Sequence, residues 1–364
     1  MDKKPLIGKG LAVGIILLFI GTSVIPTLAQ NIEKPSLPSS RGNWLYVGGS
    51  GPGNYSKIQD AVNNASNGDT VYVYDDSSPY YENLIINKSI NLIGENKINT
   101  VILGEQNDVT IQIISDKVNV SGFNINNPGW RAIGISISSD FNIINDNNIS
   151  GVPSGYGITL YWASYNEISN NIIDNNYADI FLRFSSNNSI FNNIIRYTRA
   201  VNGYGGGIAI FYDSKNNKIF GNLIEHCQGL VLFAYSEHNN IYENSIVHCS
   251  DNVEAALQIV SSNYNIIYNN NIAFNPRIGI SLYNCEGNQI MRNNFLFNLR
   301  DASFGDCLFN HWLGNYWQRP RILPKVIFGS YLWGATEFIT IPLFRFDIHP
   351  ALIPIYVPPA GCDT

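Results

Sequence analysis

Charge is what this chain has least of. Only 14% of its 364 residues are Asp, Glu, Lys or Arg, where an ordinary globular protein carries about a quarter. The formal net charge is −6 and no basic stripe is present, which excludes a nucleic-acid footprint and leaves the mild acidity without a specific meaning. Methionine is nearly missing: Met1 and Met291 are the two residues in all, so thioether ligands for a soft metal are scarce. Hydrophobic residues make up 45%, so a long core can be buried. The polar surface then has to come mostly from Asn, Ser, Thr and Tyr.

Asparagine supplies the pattern. The phrase Asn-x-apolar-x-x-Asn occurs eight times, starting at Asn142, Asn166, Asn188, Asn217, Asn239, Asn265, Asn288 and Asn310. The second Asn follows at Asn147, Asn171, Asn193, Asn222, Asn244, Asn270, Asn293 and Asn315, and successive copies lie 24, 22, 29, 22, 26, 23 and 22 residues apart. That period is too short for a pair of helices and fits a solenoid coil made of short strands and turns. Ahead of each copy runs an alternating stretch, such as Gly157-Ile158-Thr159-Leu160 or Gly279-Ile280-Ser281-Leu282. Period-two alternation sends one set of side chains inward and the other outward. Ile158, Ile180, Ile208, Leu230, Leu257 and Ile280 are expected to stack as one inner ladder. The repeat asparagines are expected at corners, where Asn tolerates left-handed backbone and can bond its equivalent one coil away. Disorder would not keep the apolar residues in register. The fold class is therefore all-β, a right-handed parallel β-helix of about ten coils.

The chain divides into four parts. Residues 1–30 read as a secretory signal, with Lys3, Lys4 and Lys9 before an apolar run and then Leu28-Ala29-Gln30; an uncleaved anchor is the competing reading. Both place the rest outside the cytoplasm, secreted or at the cell surface, with membrane contact only through that segment. Six Asn-x-Ser sequons, at Asn54, Asn64, Asn87, Asn119, Asn148 and Asn187, suit an exported glycoprotein. Residues 31–43 are a Pro/Ser-rich linker and 44–317 the solenoid. An amphipathic stretch from Tyr55 to Ala65 puts Ile58, Ala61, Val62 and Ala65 on one helical face, which serves as an N-terminal cap over the open end. Residues 318–364 form a strand-rich C-terminal cap and tail: Val326 to Leu343 is apolar, but Glu337 and Pro342 interrupt it.

Tyr46-Val47-Gly48-Gly49-Ser50-Gly51-Pro52-Gly53-Asn54-Tyr55, with Gly68-Asp69-Thr70, resembles the N-terminal cap of the pectin-lyase-like superfamily, and Gly314-Asn315-Tyr316-Trp317 resembles the end of its last coil. The match is closest to the NosD-like, carbohydrate-binding-and-sugar-hydrolase type found in exported archaeal and bacterial proteins. That resemblance covers about residues 44–317 and is specific for fold; function lives in grafted sites. It implies three kinds of activity: glycan binding or surface display, polysaccharide cleavage or epimerisation, and copper handling.

Cleavage needs two carboxylates across one sugar bond. The Asn-Thr-Asp, Asp-Asp, Gly-His-Gly and Arg-x-Lys signatures that the resemblance to polygalacturonases would call for do not occur in coils. The adjacent pair Asp75-Asp76 precedes the repeats in a turn next to Ser77-Ser78-Pro79, and Asp179 with Arg183, or Asp251 with Glu254, are the remaining candidates. For a metal, His226-Cys227 and His248-Cys249 follow their repeat Asn at equal offsets, so His stacks on His and Cys on Cys about 4.8 Å apart. A Cys₂His₂ site and a plain stack both remain open. Cys285 and Cys307 form a second stacked pair by the same arithmetic, within disulfide range in an oxidising compartment.

The outward positions carry a different signal. Tyr161, Arg183, Phe211, Phe233 and Tyr283 fall at equivalent outward places, with Trp162, Phe184 and Tyr212 beside them. Aromatic faces on a rigid sheet hold sugar rings and mark a partner site. The candidate carbohydrate-binding residues are thus Tyr161, Trp162, Arg183, Phe211, Tyr212 and Phe233, unless the insert Arg199 to Gly206 covers them. The leading reading is an exported non-catalytic scaffold that binds polysaccharide or cell-surface glycan, with no cofactor. A lyase, hydrolase or epimerase, and a NosD-type copper accessory, are the alternatives.

Overall fold

The computed structural model describes residues 42–105, 108–198, 206–249, 254–333 and 339–359. These lie in one compact unit, Ser40–Thr364; the expected signal and most of the linker lie outside the described residues. Among the described residues the chain coils into three sheets of 12, 12 and 11 strands. Each turn of the solenoid gives one strand to each sheet, and nearly every pairing is parallel between equivalent residues of successive turns. The expected parallel β-helix is therefore present, about 12 turns deep where the repeat count gave ten. The extra depth comes from strand Trp44–Val47, which pairs with Thr70–Val73, and from the C-terminal hairpin, neither of which carries the Asn repeat.

The inner ladder has the predicted register. Ile158, Ile180, Ile208, Leu230, Leu257 and Ile280 are successive partners in the second sheet, and all are fully buried. Fully burying one such side chain is worth about 1.5–3 kcal/mol, so a core of stacked Ile and Leu rows supplies the main driving force.

Both repeat asparagines form ladders inside the corners. The Asn166 Oδ1 accepts from the Asn142 backbone N–H at 2.8 Å and from its Nδ2 at 2.9 Å. The pattern continues coil by coil, and the second ladder runs the same way, with Asn244 Oδ1 accepting from Asn222 N and Nδ2 at 3.1 and 2.9 Å. One sequence expectation is corrected here. The left-handed residue is the one before each repeat Asn, for example Phe141, Tyr165 and His238, or Asp146, Glu243 and Arg292, with φ between 53° and 68° in both rows. The Asn side chain recurs at each register position because its amide serves the backbone of the neighbouring coil, while the corner residue before it varies from coil to coil.

Two more corner ladders were not legible in the repeat. One passes through Val152, Asn176, Thr198, Cys227, Cys249, Asn275 and Asn298, with bonds from Val152 N to Asn176 Oδ1 and from Cys249 N to Asn275 Oδ1. The other runs through Ser185, Ser214, Ser236 and Ser262 to Cys285 and Cys307, with Ser185 N donating to Ser214 Oγ and Cys285 N to Cys307 Sγ.

Both ends are capped. Helix Ile58–Asn64 buries Ile58, Ala61 and Val62 over the first coil, and the Glu82 carboxylate accepts its first N–H groups, Ile58 N and Gln59 N, at 2.8 and 2.9 Å. At the far end, strands Lys325–Trp333 and Ile339–Asp347 pair antiparallel, and the first extends the second sheet beyond Phe304 and Gly305. The buried Asp347 carboxylate ends the second Asn ladder: it accepts from Asn315 N, Asn315 Nδ2, Gly314 N and Trp317 Nε1.

Candidate functional site

On the outer face of the second sheet, Tyr161, Arg183, Phe211, Phe233, Val260 and Tyr283 are successive register partners. They stand opposite the inner Ile/Leu row because strand alternation leaves them no other side. The next residue of each strand is a left-handed corner, with φ of 54° at Trp162, 51° at Phe184 and 50° at Tyr212. This backbone swings those rings alongside the row. Trp162 stacks on Phe184 at 4.4 Å and 14°, and Phe184 on Tyr212 at 5.9 Å. Arg183 is set among them, its guanidinium carbon 4.7 Å from the Tyr212 ring, 5.2 Å from Phe184 and 5.6 Å from Tyr161. Its Nε is buried without a hydrogen-bond partner. Ring contacts of this kind hold a cation while leaving part of it able to meet a ligand's oxygen.

The six candidate residues do not contribute alike. Trp162 is 64% exposed and Tyr161 42%. In the stack Trp162 is the end rung, with Phe184 against one face. Phe211 is corrected: it points outward, yet only 4% of it is exposed. It packs with Ala209, Val231, Phe181 and Phe233 into a small apolar cluster of its own, with ring centroids 5.4 Å from Phe181 and 5.2 Å from Phe233. Outward direction and exposure are separate properties, and alternation in sequence reports only the first. Residues 199–205 of the insert lie outside the described residues. Tyr235, 66% exposed, is a nearby ring that the sequence reading passed over; its φ of 65° places it in a corner, out of phase with the strand alternation.

The acidic candidates do not assemble on this face. Asp179 is fully buried, accepting from Asn176 Nδ2 at 3.0 Å and from the Thr198 hydroxyl. Burial pushes its carboxyl well above the usual range, the two hydrogen bonds offsetting this in part. Arg183 lies on the outer row, so the Asp179–Arg183 pair proposed from sequence does not converge. Asp76 accepts from Gly49 N and the Ser77 hydroxyl in an exposed turn. Glu254 accepts from the Ser281 hydroxyl, and Asp251 lies outside the described residues.

The stacking of His and Cys is as the spacing requires. His226 and His248 have ring centroids 5.2 Å apart at 8°, and Cys227 and Cys249 have Sγ atoms 3.6 Å apart. But the chain turns between the two residue types: the histidines are exposed and the cysteines buried. The rings belong to an outer stack running Tyr197, His226, His248, Phe274, Phe297. Parallel imidazole planes aim their lone pairs side by side, away from a common point. Among the described residues no group of three or more His, Cys, Asp or Glu gathers as metal ligands. Cys249 Sγ lies 3.3 Å from the carbonyls of Ile224 and Val247, the place an Asn amide takes elsewhere. Burial holds the Cys227 thiol well above its ordinary range. Cys285 and Cys307 have Sγ atoms 3.3 Å apart, and hydrogen bonding to Cys307 together with burial raises the Cys285 thiol. All four are free thiols in the structure.

Several solved structures share this architecture. The A-module of the mannuronan C-5 epimerase AlgE4 of Azotobacter vinelandii is 16% identical, covers 71% of this chain and 82% of its own, and has a TM-score of 0.54. The A-module of AlgE6 from the same organism is 15% identical over 76% of this chain and 84% of its own, also at 0.54. DFA-IIIase of Arthrobacter chlorophenolicus A6 is 13% identical over 71% and 86%, at 0.50. Likeness at these identities is one of fold. No curated protein matches the chain in sequence. The family model described as periplasmic copper-binding protein (NosD) matches residues 62–256 and 200–322, which take in most of the solenoid and both sets of corner asparagines. The His/Cys arrangement above does not fit copper, so that part of the family description finds no converging donor set among the described residues. By sequence and by fold the chain belongs to the NosD family of pectin-lyase-like parallel β-helix proteins.

Proposed function

We propose that the chain is an exported, non-catalytic β-helix that binds polysaccharide on the outer face of its second sheet. The observation that carries this reading is the cluster of Tyr161, Trp162, Arg183, Phe184 and Tyr212. It joins an open indole face to a guanidinium held among the rings of Tyr161, Phe184 and Tyr212. A pyranose ring can lie on Trp162 through its C–H groups while the terminal N–H groups of Arg183 donate to hydroxyl or carboxylate oxygens. The flat, stiff sheet holds these groups in place before binding, which lowers the ordering cost. Export is supported by the family's description as periplasmic.

Enzymatic action on sugar is the second reading, supported by similar folds whose names are those of epimerases and a DFA-IIIase. Against it, the buried position of Asp179 keeps that acid from a sugar on the sheet face. The test incubates the unit from Ser40 onward with a panel of uronic-acid and neutral polysaccharides. Retardation in affinity gels is followed together with release of unsaturated or reducing ends. Retardation by one class of glycan without new ends is expected. New ends would replace the binding reading with the enzymatic one, and no retardation by any glycan would remove both.

A further inference from the structure

We propose that the C-terminal cap docks the solenoid on an anionic lipid surface. In the hairpin, Val326 faces Phe346 and Phe328 faces Phe344 across the strands. Ile327, one residue on, is buried against the core, so alternation turns the Val326, Phe328, Phe344 and Phe346 set outward. Phe328, Phe344 and Phe346 are 56%, 48% and 51% exposed, and Ile322 and Leu323 just before the hairpin are 90% and 76% exposed. Large apolar groups gathered on one terminal element mark a partner surface.

Charge says which partner. The molecule as a whole carries −6, but residues 318–359 hold four cations (Arg319, Arg321, Lys325, Arg345) against two acids (Glu337, Asp347); Lys325 is paired with Asp301 at 3.2 Å, so the three arginines carry the excess. Of those acids, Asp347 is buried and occupied as the ladder's cap. Arg300 adds a further cation at the hairpin, donating to the Phe328 carbonyl at 2.7 Å. Exposed aromatic and aliphatic side chains interleaved with arginine match the boundary of an anionic bilayer, where rings sit at headgroup depth and cations meet phosphates. A second copy of the chain fits less well. Strand Ile339–Asp347 is the outer edge of the sheet and carries Pro342, which removes a donor that edge-to-edge pairing would use. A lone hairpin cannot span a bilayer, because its edge groups would go unpaired in hydrocarbon. The cap would lie on the surface, and binding would be reversible.

Vesicle sedimentation of the unit Ser40–Thr364, which is compact by itself, tests this apart from residues 1–39. Vesicles of phosphatidylcholine are compared with vesicles of equal parts phosphatidylcholine and phosphatidylglycerol. The protein is expected to pellet with the anionic vesicles, to release as salt rises, and to remain in solution with the neutral ones. Phe328→Ser with Phe346→Ser should lower partitioning about tenfold, and Arg319→Gln and Arg321→Gln about fivefold each, all with unchanged unfolding midpoints. If the Phe pair proves to unfold the cap, Ile322→Ser with Leu323→Ser carries the same test on residues outside the strands. Three results would overturn the proposal: no pelleting with anionic vesicles, equal pelleting with both kinds, or a dimer in sedimentation velocity that the Phe substitutions break.

Discussion

A repeat asparagine does three jobs at once, and none needs a ligand. Asn244 accepts two hydrogen bonds from Asn222, donates to the carbonyls of Ile219 and Tyr242, and donates to Asn270 Oδ1, all in a fully buried corner. Asn244→Ala leaves the Asn222 N–H without a partner, and should cost about 1–3 kcal/mol in urea titrations. Asp179 is the opposite case, a buried acid whose surroundings favour the proton. Its folded pKa is raised and its unfolded pKa is near the ordinary carboxylate value. Its contribution to stability is therefore full below the unfolded pKa and is lost as pH rises towards the folded one. Asp179→Asn keeps the acceptor for Asn176 and removes the titration. Melting curves of the variant should match the parent at pH ~4 and lie above it at pH ~8; parallel curves across that range would contradict the burial argument.

At the scale of the coil, what the sequence disclosed depended on side-chain uniformity. The Ile/Leu row and the two Asn rows repeat one residue type, so both could be phased by counting. The other two corner ladders mix Val, Asn, Thr and Cys, or Ala, Ser and Cys, because a thiol, hydroxyl or amide can each meet the neighbour's N–H. No single letter reveals them. The cysteines read most plainly as members of these ladders. Cys285→Ser with Cys307→Ser continues the run of serines above them, and should change stability by less than ~1 kcal/mol. Cys285→Val with Cys307→Val removes the acceptor for Cys285 N and should cost clearly more in the same titration. The aromatic row was also phased correctly, but Phe211 shows the limit: its neighbours Phe181, Val231 and Phe233 close over it, and packing between coils is not written in alternation.

For the whole molecule, the coils contact only their neighbours, so the ends decide whether the stack holds. Glu82 and Asp69 serve the N-terminal end, where Asp69 accepts from Asn43 N and Ser66 N. Asp347 serves the other. Asp347→Ala strips the acceptor from three backbone N–H groups, an Asn amide and an indole at once. A loss of about 3–5 kcal/mol is expected, with hydrogen exchange accelerated first in the last coils. The helix cap was visible in the sequence through its apolar spacing; the carboxylate caps were not, since a lone Asp far from the repeat gives no sign of what it closes.

The account separates a scaffold made by asparagine from a function carried by the outer face, and one comparison reaches that claim directly. Trp162→Ala and Asn244→Ala are each measured for unfolding midpoint and for affinity to the glycan that retards the parent. The account predicts that Trp162→Ala loses at least about tenfold in affinity at an unchanged midpoint, while Asn244→Ala loses stability and, where still folded, binds like the parent. Parental affinity in Trp162→Ala, or lost binding in folded Asn244→Ala, would contradict it.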